Sequence, residues 1–79
     1  MKFQYTRKRG EKRTYDVTLV MTNKIDTGGF AYVAMVYRGD DFLGQLTRWP
    51  LQAKTMNDAT EEARQLVQRD IEDLVGIDE

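Results

Sequence analysis

Apolar and polar residues alternate with a period of two over residues 2–49, and a helical period takes over only near residue 57. In Lys2–Arg7, Phe3 and Tyr5 share one side while Lys2, Gln4 and Thr6 share the other. Lys8-Arg9-Gly10-Glu11 reads as a turn, because Gly10 tolerates the positive φ that tight hairpins need. Arg13–Thr22 alternates more clearly, with Tyr15, Val17, Leu19 and Met21 against Thr14, Asp16, Thr18 and Thr22. Val20 is its one exception. A connection over Asn23–Gly29 ends in Gly28-Gly29 and leads into Phe30–Tyr37, which is apolar on both sides. Such a strand is central, or is covered by something beyond its own helix. Arg38-Gly39-Asp40-Asp41 predicts a third turn. Phe42–Trp49 is a weaker strand, interrupted by Gly44 and closed by Pro50, as suits an edge.

Leu51–Met56 then connects to an amphipathic helix over residues 57–75. Asp58-Ala59-Thr60-Glu61 has the capping-box pattern in its aspartate form, with Asn57 as an alternative cap. Ala59, Ala63, Leu66, Val67, Ile71, Leu74 and Val75 make one apolar stripe, and Gly76 suits the position just past the helix end. The expected fold is therefore α+β: one β-β-β-(β)-α domain over residues 1–79. In it an antiparallel meander of three to four strands is packed on one face by a single C-terminal helix. One helix shields one face, so the other must meet water, a second copy or a partner.

At 79 residues the chain sits near the lower limit for folding on one apolar core, and 41% apolar with 32% charged residues describes a globular protein. No apolar run approaches the roughly 18 residues that span a bilayer, so no membrane role is expected. Met1-Lys2-Phe3-Gln4-Tyr5 is too polar for a signal peptide, and the expected location is the cytoplasm of a bacterium or of a virus-infected cell. The net charge of −1 hides a polarised distribution. Lys2, Arg7, Lys8, Arg9, Lys12 and Arg13 face only Glu11 in the first thirteen residues. From residue 57 onward Asp58, Glu61, Glu62, Asp70, Glu72, Asp73, Asp78 and Glu79 face only Arg64 and Arg69. Each pole is expected to steer a partner of opposite sign.

Little here suits catalysis. The chain has no His and no Cys, so the usual base near neutral pH and the strongest nucleophile are both missing. Asp40-Asp41 is an adjacent acidic pair in a turn, too few ligands for a hard cation. No enzyme, cofactor or metal is expected. The basic hairpin (Arg7, Lys8, Arg9, Lys12, Arg13) offers a phosphate-binding or acid-binding tip, or simply a soluble one. Gly29-Phe30-Ala31-Tyr32-Val33-Ala34-Met35 follows the RNP1 pattern whose aromatics stack on unpaired bases. Gly28, however, stands where that pattern carries Lys or Arg, and the helix needed between the first two strands is missing. Trp49, beside Arg48 and Pro50, reads equally as an interface anchor or as a plug at the rim of a small core.

The run Gly28-Gly29-Phe30-Ala31-Tyr32-Val33-Ala34, a further strand, and then Asn57-Asp58-Ala59-Thr60-Glu61-Glu62-Ala63 with its "EEA" helix start resembles the N-terminal domain of HicB-type antitoxins. The resemblance covers roughly residues 14–75, without that family's Pro-rich segment after the second of those strands. It implies a small βββα domain that binds a protein without catalysis. Double-stranded-RNA-binding domains share a βββα core, but their last helix opens with lysines, whereas this one opens with Asp58, Glu61 and Glu62. Two functions follow as expectations. The first is a protein-binding regulator or inhibitor, antitoxin-like or of phage or mobile-element type, with a homodimer as an expected form. In one version the acidic helix residues Glu62, Asp70 and Asp73 mimic phosphate. The second is a module for RNA or single-stranded DNA, using the basic hairpin with Phe30 and Tyr32.

Overall fold

In the computed structural model, residues 1–24 and 29–78 are described. Their elements run β1 (Lys2–Thr6), β2 (Thr14–Lys24), β3 (Gly29–Arg38), β4 (Asp41–Arg48) and α1 (Met56–Glu72). The strands form one antiparallel sheet in the order β1-β2-β3-β4, with every neighbour in space also a neighbour in sequence. The fourth strand, the weakest by pattern, is complete and pairs along most of β3. The connection expected at Asn23–Gly29 is shorter than its sequence suggests, because Asn23, Lys24 and Gly29 belong to the ladder; residues 25–28 lie outside the described residues.

Period-two alternation decides which side chains meet the core. Tyr15, Val17 and Leu19 of β2, Tyr32, Ala34 and Val36 of β3, and Leu43 and Leu46 of β4 are buried. They form one cluster with Ala59, Ala63, Val67 and Ile71 of the helix. Ala59, Ala63, Val67 and Ile71 recur at helical spacing and are all fully buried. Phe30 and Tyr32 share this buried side.

A register shift on β4 lets Val36 pair with Gly44 and the next residue, Tyr37, pair with Phe42, so Leu43 is the extra residue of a bulge. The bulge turns Leu43 into the core and re-aims Phe42 to the opposite face. Gly44 has a separate reason to lack a side chain. The C-terminal tail crosses it so closely that a Cβ there would collide with the Gly76 carbonyl oxygen. That crossing seats Ile77 in the core and lets the Asp78 N–H donate to the Leu43 carbonyl at 2.8 Å.

Both helix ends differ from expectation. The N-cap is Thr55, whose hydroxyl accepts from the Asp58 N–H at 3.2 Å, so Asp58 lies in the first turn and neither it nor Asn57 is the cap. Glu61 turns outward to Arg64 and Gln65. The C-terminus comes at Glu72, three residues early. The Leu74 N–H bonds Ile71 O at 3.1 Å and the Val75 N–H bonds Asp70 O at 2.8 Å, with Leu74 at φ 54°. This is a Schellman closure with leucine in the left-handed position, and it leaves Leu74 and Val75 substantially exposed instead of on the apolar stripe. Gly76, at φ 71°, serves the tail crossing and not the helix end.

Candidate interaction surface

The face of the sheet opposite the cluster carries the odd apolar residues of β3. Val33, Met35 and Tyr37 run along it half-buried, with Ala31 buried at one end. Val20 pairs with Val33 from one side and is 49% exposed; Phe42 meets Tyr37 from the other and is 55% exposed. The Tyr37 and Phe42 rings are 5.4 Å apart at 60°, a tilted aromatic pair. Around this stripe the same face carries Thr14, Asp16, Thr18 and Thr22 on β2, Gln4 and Thr6 on β1, and Gln45 and Thr47 on β4. The result is an apolar centre with a rim mostly of hydroxyl and amide groups, to which Asp16 and Lys2 add one charge of each sign, a composition that suits a surface shedding water against a partner. Two irregularities in the sequence marked it: β3 is apolar on both sides, and Val20 breaks the alternation of β2. None of Val20, Val33, Met35, Tyr37 or Phe42 was singled out from sequence as a binding residue.

The charged poles, each expected to steer a partner of opposite sign, meet within the chain. The β1–β2 hairpin reaches the end of α1, and the two poles bind each other. The Glu72 carboxylate accepts from the Tyr5 hydroxyl at 2.7 Å, the Lys8 N–H at 2.9 Å, the Arg9 N–H at 3.2 Å and the Arg9 Nε at 3.1 Å. Its backbone carbonyl accepts from Arg7 Nε and Nη2 and from Arg9 Nη2, and Arg9 also pairs with Asp73. A carboxylate at a helix C-terminus is normally disfavoured by the helix dipole, whereas guanidinium groups there are favoured and satisfy orphan carbonyls. The Lys8 N–H first, then the Tyr5 hydroxyl and Arg9, pull the Glu72 carboxyl down to about 2. The hydrogen bond to Glu72 correspondingly raises the Tyr5 phenol above its ordinary value.

The residues singled out from sequence are thus dispersed. Arg7 and Arg9 hold the helix end, Lys8 contributes its backbone there, and Arg13 pairs with Glu11 at 2.8 Å. Lys12 sits in the turn at φ 55° with an exposed side chain. Phe30 and Tyr32 are 9% and 1% exposed, so the aromatics of the RNP1-like segment are core residues with no face to offer a base. Burial first, and the Asp70 carboxylate second, push the Tyr32 phenol above its ordinary value.

Nor do the three acidic residues expected to mimic phosphate form a surface. Glu62 accepts from the Gln52 N–H at 3.0 Å and the Ala53 N–H at 2.9 Å, tying the connector to the helix. Asp70 is buried and Asp73 is paired with Arg9. Trp49 precedes a cis peptide to Pro50 and is 49% exposed. Among the described residues, no three acidic side chains converge as metal ligands, and no helix is long and apolar enough to cross a membrane. No family profile, curated protein or solved structure matches this chain.

Proposed function

We propose that the chain is a non-enzymatic protein-binding module, a small regulator or inhibitor of the antitoxin-like kind, which takes its partner on the open face of the sheet. The observation that carries this reading is the apolar stripe Val20, Val33, Met35, Tyr37 and Phe42, left partly exposed within a rim mostly of threonine and glutamine, with Asp16 and Lys2 among them. Burying such a stripe yields about 25 cal/mol per Å² of apolar area removed from water. The mostly uncharged rim adds shape and hydrogen bonds, with only Asp16 and Lys2 carrying the desolvation cost of ions. The engaged arginines and buried aromatics weigh against nucleic acid as the partner.

The test is capture by the purified chain from a lysate of its source, with and without nuclease treatment. Met35→Glu, which places a charge at the centre of the stripe, is expected to abolish capture of the partner protein. Lys8→Glu combined with Lys12→Glu is expected to leave it intact. Nuclease-sensitive capture that depends on Lys8 and Lys12 and ignores Met35 would overturn the reading.

A further inference from the structure

We infer that β1 is a dimerisation edge at which a second copy of this chain adds its own β1 antiparallel, about a two-fold axis at Gln4. The inference is independent of what the open face binds. Met1 exchanges both backbone bonds with Leu19, at 2.9 and 2.7 Å, and the Arg7 N–H bonds Arg13 O at 3.0 Å. The register between them is unbroken through Phe3/Val17 and Tyr5/Tyr15. Odd residues therefore direct their backbone groups into the sheet, and Lys2, Gln4 and Thr6 direct theirs outward. The two sheet edges are not equivalent. At β4 the tail already occupies the Leu43 carbonyl through the Asp78 N–H. The hairpin beyond β1 folds toward the end of α1, and β1 is the outer strand of the sheet on its side.

The edge is complementary to itself in one register above others. With Gln4 opposite the second copy's Gln4, Lys2 faces Thr6 of the other chain at each end, and all three outward-directed residues pair. About six backbone hydrogen bonds form. The two Lys2 ammonium groups lie at opposite ends, so no like charges meet. On the core side this register sets Phe3 opposite the other copy's Tyr5, twice. Both residues are half-buried at the rim of the core, where the single-chain sheet ends. Tyr5 is already fixed by its bond to Glu72. Cross-strand aromatic pairs of this kind are among the stronger contacts between strands. The product is one eight-stranded sheet with the two open faces side by side.

The chain has no cysteine, so single-cysteine variants report the register without background. In this dimer the two Cα atoms of residue 4 lie about 5.5 Å apart, within disulfide range, and those of residue 2 roughly 14 Å apart, beyond it. Light scattering of the purified wild type is expected to give twice the chain mass at high micromolar concentration. Mild oxidation is expected to link Gln4→Cys rapidly into a dimer and Lys2→Cys hardly at all, while mixed Lys2→Cys and Thr6→Cys chains link to each other. Gln4→Pro, which deletes the central outward N–H, is expected to return the mass to one chain. Where that variant fails to fold, the contrast between Gln4→Cys and Lys2→Cys decides. A monomeric wild type, or Gln4→Cys linking no faster than Lys2→Cys, overturns the inference and leaves the open-face reading untouched, since Met35 takes no part in this edge.

Discussion

Gly44→Ala tests how the tail is held. An added Cβ would fall far inside contact distance of the Gly76 carbonyl oxygen, 3.3 Å from its carbon and 3.6 Å from the Ile77 Cα. All three are backbone or backbone-attached atoms, so no rotamer change relieves the overlap, and the tail must lift. Lifting it exposes Ile77, 8% exposed in the native state, at a cost of about 1.5–3 kcal/mol. It also breaks the Asp78 N–H bond to Leu43 O, worth about 0.5–1.5 kcal/mol. Alanine returns about 0.5–1 kcal/mol by restricting the unfolded chain. The net expectation is a destabilisation of roughly 2 kcal/mol. In a domain of this size that lowers the thermal midpoint by about 10 °C or somewhat more. Urea titration followed by Trp49 fluorescence or far-UV circular dichroism should show a lower midpoint with little change in slope. Removing residues 76–79 should make the same substitution nearly neutral, because the two changes act on one contact. Equal stability of Gly44→Ala and wild type, or full additivity with the truncation, would refute the reasoning.

Three further outcomes follow from the same geometry. Glu72 is held at about 2, below its unfolded value, so its stabilising contribution is complete above about pH 4.5 and is lost as pH falls toward 2. Urea midpoints of wild type and Glu72→Gln should therefore differ at pH 7 and converge near pH 2; a constant difference would contradict the assignment. Lys12 is exposed at φ 55°, where glycine is unstrained, so Lys12→Gly should stabilise the fold by about 0.5–1 kcal/mol by the same titration. Glu62→Ala leaves the Gln52 and Ala53 N–H groups without their acceptor and should destabilise by about 1–2 kcal/mol; an unchanged midpoint would mean the connector is held by other contacts.

Local periodicity carried most of the fold. Tyr15, Val17 and Leu19 announced β2, and Ala59, Ala63, Val67 and Ile71 announced the buried helix stripe, because a single geometric period generates each pattern. The helix ends were harder to place, since capping is a competition. Thr55-Met56-Asn57-Asp58 begins a helix one turn before the Asp58-to-Glu61 pattern does. At the other end, guanidinium groups more than sixty residues away in sequence close the helix at Glu72 before Gly76 is reached. The same distance in sequence hid the union of the charged poles, whose composition alone suggested two poles that each steer a partner of opposite sign. Phe42 reaches the open face only through a bulge, which no alternation rule foresees. The open face itself was legible in kind, as a shortage of cover, but its residues were visible only as exceptions to the pattern.

Methyl NMR of the chain, with and without the captured partner, reads the occupied face directly. Val20 and Val33 methyls and the Met35 methyl should shift or broaden on binding, while those of Ala59, Ala63 and Val67 in the core stay in place. Perturbation confined to the α1 surface or to the Lys8–Lys12 tip, with the three sheet residues unmoved, would show that the open face is not where this protein meets its partner.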